Sequence, residues 1–138
     1  MKRCLEVLPE KKILQIGIRS GTKAEFQFMN DNNQLVKFLP GGNTKELKKA
    51  LLPYSNSPIY LTIDLDWFDP SLLAGTGTPE PGGFFWNDFE EILKTIKDFR
   101  IVGSDIVEWS PEIDKSGVSS IVAAKVLRSL ILSLENMQ

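Results

Sequence analysis

Four apolar segments separated by helix-forming stretches, with a long Pro- and Gly-rich loop after the third, predict an α/β fold: three layers, α/β/α, around a mainly parallel sheet. The composition agrees, with 42% hydrophobic and 25% charged residues in 138, close to the globular average. A chain of this size can bury a core without disulfides or structural metals, so residues 1–138 are expected to form one domain. The strand-like segments are Ile13 to Ile18 (ILQIGI), Leu35 to Leu39, Ile59 to Leu65 (IYLTIDL) and Ile101 to Val107 (IVGSDIV). A short helix is expected over Thr22 to Met29. A second runs over Asn43 to Leu51, where Asn43 or Thr44 can cap and Glu46 lies in the first turn. In Asn87 to Phe99, Phe89, Ile92, Leu93, Ile96 and Phe99 recur at helical spacing. Gly117 to Leu134 is the longest helical stretch. Right-handed crossovers would place helices on both faces of the sheet. Asp69 to Gly83 is too rich in Pro and Gly for regular structure, and loops of that length in a compact domain tend to be functional.

Composition excludes several functions. A net charge of -2 and the lack of extended Lys/Arg runs argue against nucleic-acid binding and against a polybasic membrane patch. The apolar runs are too short to cross a bilayer, and no signal peptide is expected. The single cysteine, Cys4, reads as a small apolar filler and fits a reducing, cytoplasmic compartment. The sequence contains no histidine, which removes Ser–His and Cys–His triads and leaves carboxylates as the metal ligands available.

The chemistry concentrates at the ends of two strands. In Thr62-Ile63-Asp64-Leu65-Asp66-Trp67-Phe68-Asp69-Pro70, an apolar strand runs into two aspartates at i, i+2. Strand alternation would turn Asp64 and Asp66 to one side and Leu65 to the other. They would lie at the carboxyl end of the strand, where open α/β sheets bind ligands. Two close carboxylates repel unless a cation lies between them, and oxygen ligands favour Mg2+ or Mn2+. A bare Asp-x-Asp is equally a strand end where aspartates cap a turn. Asp69-Pro70 reads as structural, with the carboxylate accepting backbone bonds. The loop continues as Gly75-Thr76-Gly77-Thr78-Pro79-Glu80-Pro81-Gly82-Gly83; without a following Gly-Lys-Ser/Thr it is no phosphate-binding P-loop, and its glycines alone read as turn formers. The strand Gly103-Ser104-Asp105-Ile106-Val107 ends in Glu108, either a cation-recognising acid or a solvated strand end.

Taken together and in order, TIDLDWFDP, GTGTPEPGG and GSDIVEWSP resemble the signatures of the arginase/agmatinase ureohydrolases, and Ile16-Gly17-Ile18-Arg19-Ser20 resembles the agmatinase-type strand before them. The likeness runs from about Gln15 to the final helix and corresponds to the carboxy-terminal half of the arginase-like fold. It implies Mn2+-dependent hydrolysis of a guanidino compound such as agmatine to urea and an amine. By that resemblance Asp64 and Asp66 match ligands of a paired manganese site, in which metals about 4 Å apart activate a hydroxide. Glu108 matches the acid that pairs with the substrate guanidinium, and Thr78 a threonine lining the pocket beside it.

The family's Gly-Gly-Asp-His and Asp-Ala-His-x-Asp segments, which carry the remaining ligands and both ligating histidines, have no counterpart here. Thr62 for the usual Ser, Ala74 for Pro, and Trp109-Ser110 for Val-Asn are minor departures. Met1 to Glu6 resembles an internal agmatinase stretch just after those ligands, so the chain is expected to represent an incomplete family member, inactive alone. The alternative is a non-catalytic or split-subunit module. Either way the missing half of the sheet should leave edges and apolar surface that pair with a second copy or with a complementing amino-terminal half. A haloacid-dehalogenase-like phosphatase also uses Asp-x-Asp, but Asp64 follows a late strand and the GTGTPEPGG loop would have no role there.

Overall fold

A computed structural model describes residues 1–8 and 13–135; of the expected domain, residues 9–12 and 136–138 lie outside the described residues. The elements are helix α1 (Lys2–Val7), strand β1 (Gln15–Ile16), α2 (Lys23–Asp31), β2 (Leu35–Val36), α3 (Lys45–Leu51), β3 (Ile59–Asp64), α4 (Trp86–Ile96), β4 (Ile101–Val107) and α5 (Val118–Glu135). Tight 3-10 turns follow α3 at Leu52–Tyr54 and β3 at Leu65–Trp67. The α/β alternation matches the sequence expectation, and both strand pairings, β1 with β2 and β3 with β4, are parallel. The first pair is much shorter than its apolar runs suggest, two residues in each strand. Helix α1 lies in a segment for which no element is expected from the sequence.

Local chemistry explains the helix starts. Thr22 accepts a hydrogen bond from the Glu25 amide while Glu25 reaches back to the Thr22 amide, a capping box that opens α2. At α4 the buried Asp88 carboxylate accepts from the Phe85 amide at 2.8 Å and from Gly41 at 2.6 Å, tying the loop before α3 to the start of α4. Asp114 caps α5 through the Ser119 amide at 2.8 Å.

Two apolar clusters carry the fold. One joins Val36 and Phe38 to Leu47 and Leu51 of α3 and to Ile92, Ile96 and Phe99. The other packs Leu65, Phe68, Leu73 and Phe89 against Val122, Ala123, Val126 and Leu130 of α5. Leu65, Phe68, Leu73 and Phe84 are at most 2% exposed, and each such side chain contributes about 1.5–3 kcal/mol. The residues flanking the acidic pair are therefore among the most firmly packed in the chain. Phe84 links the clusters: it stacks on Trp67 with centroids 4.1 Å apart and on Phe38 at 5.4 Å. The opposite face of the β3–β4 pair is open, with Tyr60 62% exposed.

Gly17 meets this stack edge-on. Its φ is +76°, and a Cβ there would strike the Trp67 indole nitrogen and come within 2.5 Å of the Phe84 ring. Gly17→Ala is expected to lower unfolding free energy by about 3 kcal/mol, combining the backbone penalty with displaced rings. Urea denaturation would show it as a lower midpoint, and an unchanged midpoint would contradict the packing described.

Candidate metal and substrate site

The four residues singled out at the strand ends converge. Asp64 is the last residue of β3, and Asp66 lies in the 3-10 turn that follows. The expected strand alternation therefore stops two residues too early to orient Asp66. The turn does the orienting instead: the Asp66 amide donates to Asp64 Oδ1 at 3.2 Å, and Leu65 is fully buried on the far side. The expected outcome, two neighbouring carboxylates with Leu65 turned away, stands on a different physical cause. Thr78 Oγ1 donates to Asp66 Oδ2 at 2.8 Å. Glu108 follows β4 directly, with Asp64 paired to Val107, and its charge acts on Asp64. Glu108 has φ +61°, unusual for a residue with a side chain. Gly77 borders it: a Cβ there would sit 3.9 Å from Glu108 Oε2.

The loop bearing Thr78 is closed by carboxylates outside this group. Asp69 accepts from the Ser71 amide and hydroxyl at 3.0 and 2.6 Å and from the Gly82 and Gly83 amides at 2.9 and 3.0 Å. These bonds, led by those from Ser71, hold its carboxyl down at about 2. The structural reading of Asp69 agrees with this geometry. Farther along, Asp114 accepts from both the hydroxyl and the amide of Ser119, while Ser119 Oγ accepts from the Gly75 amide at 2.8 Å. Asp114 is held well below the usual carboxylate range, first by the Ser116 and then by the Ser119 hydroxyl bonds. Arg19 donates to the carbonyls of Asp66, Trp67 and Glu80. Sequence reasoning gave neither Arg19 nor the Asp114–Ser119 pair a role. Asp114-x-Ser116 ahead of an apolar helix is a capping signature that could have been read; nothing local to Arg19 announces its distant carbonyl partners.

Hard oxygen donors suit a divalent cation such as Mn2+, and Asp64 and Asp66 supply them side by side. The donor set is nevertheless short: among the described residues no group of three or more His, Cys, Asp or Glu side chains is placed to hold an ion. The described residues thus supply a pair of neighbouring oxygen donors and no closed metal site.

Burial and then the Asp66 charge push the Asp64 carboxyl up to about 6, with Glu108 adding to the effect. Its ordinary value is 3.8. Between those two values the folded chain binds more protons than the unfolded one, so stability falls as pH rises through that window. Asp69 runs the other way: its contribution is present above its ordinary value and lost as pH drops toward 2. Asp64→Asn is expected to abolish the loss between about pH 4 and about pH 6 and to be more stable than the parent near neutrality. Urea midpoints across that range would reveal it; parallel curves for variant and parent would show that another group carries the raised value.

Comparison with known proteins follows this geometry. The sequence profile of the Arginase family matches residues 1–133. An agmatinase of Halalkalibacterium halodurans is 35% identical over 95% of this chain, which is 45% of that protein. A crystal structure of a candidate agmatinase from Clostridium difficile superposes with a TM-score of 0.85 at 44% identity, covering 98% of this chain and 49% of the other. The proclavaminate amidino hydrolase of Streptomyces clavuligerus gives a TM-score of 0.81 at 25% identity, over 99% of this chain and 46% of the other. The chain thus spans about half the length of the relatives it matches. With its profile matched almost end to end and its α/β fold shared with these hydrolases, the chain belongs to the Arginase family.

Proposed function

We propose that residues 1–138 act as one domain carrying the acidic half of an agmatinase-type ureohydrolase site, for hydrolysis of a guanidino compound such as agmatine to urea and an amine. The observation that carries the reading is the convergence of Asp64, Asp66, Thr78 and Glu108 at the carboxyl ends of β3 and β4. In it Glu108 pairs with the substrate guanidinium through charge-assisted hydrogen bonds, giving affinity and orientation together. Thr78, already bonded to Asp66, lines the pocket beside it. Asp64 and Asp66 contribute two of the oxygen donors for Mn2+. The remaining ligands come from a segment of the Asp-Ala-His-x-Asp type, so the domain is inactive alone. The relatives named are agmatinases and an amidino hydrolase, which favours the enzymatic reading over a non-catalytic module. A cytoplasmic setting goes with it; no described helix is long and apolar enough to cross a membrane.

Urea release tests the proposal, using agmatine and arginine with added Mn2+. The chain is assayed alone and mixed with a polypeptide bearing the histidine-containing segment. No turnover is expected alone, and turnover of agmatine on mixing. In the mixture Glu108→Gln should raise KM for agmatine by about tenfold to a hundredfold. Turnover by the isolated chain would show the site to be complete. An associated but inert mixture would overturn the ureohydrolase reading.

The same proposal includes self-association or pairing with a complementing half. Exposed Tyr60 and Val102 on β3 and β4, and Ile121, Leu127 and Ile131 on α5, support it. Sedimentation at low micromolar concentration is expected to show a dimer or larger assembly, and a clean monomer would count against self-association.

A further inference from the structure

Arg19 lies just past β1, half-buried, and among the described residues no carboxylate is one of its hydrogen-bond partners. Nη1 donates to the Trp67 carbonyl at 2.8 Å; Nη2 donates to the Asp66 carbonyl at 2.8 Å and to the Glu80 carbonyl at 2.7 Å. Its Nε is buried without a partner among the described residues, where the two Nη nitrogens set the orientation of the guanidinium. Arg19 thus meets the site through main-chain oxygens. It acts on backbone. The three carbonyls come from two segments: the 3-10 turn that carries Asp66, and the loop two residues beyond Thr78. Ser20 adds a weaker tie, its hydroxyl donating to Glu80 Oε2 at 3.3 Å. Gly17, pressed against the Trp67 ring, fixes the chain from which Arg19 reaches.

We infer that Arg19 is the positioning residue of the acidic site. It holds the Asp66 turn and the Thr78 loop in one frame, so that the Asp66 carboxylate and the Thr78 hydroxyl keep their 2.8 Å bond. The planar fork is what the geometry needs: one guanidinium bridges three carbonyls from two segments, a span that a compact ammonium on a flexible stem does not reproduce. The consequence for substrate and metal rests on the function proposed above; the positioning itself does not.

The test follows the carboxyl carbon of Asp66 by NMR in Arg19→Met and Arg19→Lys, each with and without Thr78→Val, together with amide exchange. In the parent, Thr78→Val removes the donor to Asp66 and shifts that carbon. In Arg19→Met the shift is expected to vanish, and the Asp66 and Phe68 amides to exchange about tenfold faster. The Gly82 and Gly83 amides, held by Asp69, should keep their protection. Arg19→Lys should recover thermal stability in part without recovering the response. A response that persists in Arg19→Met overturns the inference. So does a loss of protection that is uniform along the chain and tracks the melting temperature. Should Arg19→Met fail to fold, the lysine variant decides alone: an intact response there shows that charge suffices without the fork. Broadening of the Asp64 and Asp66 resonances by Mn2+ is read separately in the parent. Its absence would remove the metal reading and leave the Arg19 result standing.

Discussion

The Asp69 carboxylate is the interaction on which the site's shape depends. It gathers the Ser71 amide and hydroxyl at the start of the long loop and the Gly82 and Gly83 amides at its end. A loop of this length would otherwise sample many arrangements, and closing it costs entropy that local hydrogen bonds must offset. Gly83 is required where it stands, because a Cβ would collide with the Asp69 amide and come within 2.6 Å of the Phe68 carbonyl carbon. Closure then seats Phe84 between Trp67 and Phe38 and brings the Phe84 amide to the Trp67 carbonyl at 3.2 Å. The acidic pair thus stands on a floor held by a third carboxylate through loop hydrogen bonds.

Much of this was legible in the sequence, and the gaps have physical reasons. The strand Ile101–Val107 and the helix near Gly117 to Leu134 emerge almost as their apolar periodicity indicates. The runs around Ile13 and Leu35 do not: their apolar content marks packing against α3 and α4, and only two residues in each form a ladder. Convergence of Asp64, Asp66, Thr78 and Glu108 was legible as a set because three motifs occur together in order. Each motif singly also fits a turn or a solvated strand end. What could not be read was the support. Arg19 finds its partners 47 to 61 residues away, and carbonyl acceptors have no signature in a sequence because every residue offers one.

The scaffolding of the site also separates cleanly from its unfinished chemistry. The packing of Leu65, Phe68, Leu73 and Phe84, the closure by Asp69, and the Asp114–Ser119–Gly75 relay all lie within the described chain. The carboxylates are therefore held close by the fold itself, and the elevated Asp64 carboxyl records first its burial and then the repulsion that results.

The backbone at Glu108 carries a different implication. With φ at +61°, the position suits glycine or asparagine better than glutamate. Optimising this chain for thermal endurance alone would remove the carboxylate, since the swap relaxes an awkward dihedral and thins a crowd of negative charge near Asp64 in one step. Under the function proposed for the site, residue 108 is thus a point where durability and recognition pull in opposite directions, a trade-off familiar at functional positions. Any engineered version hardened against heat should be checked first at this residue for a silent loss of its carboxylate.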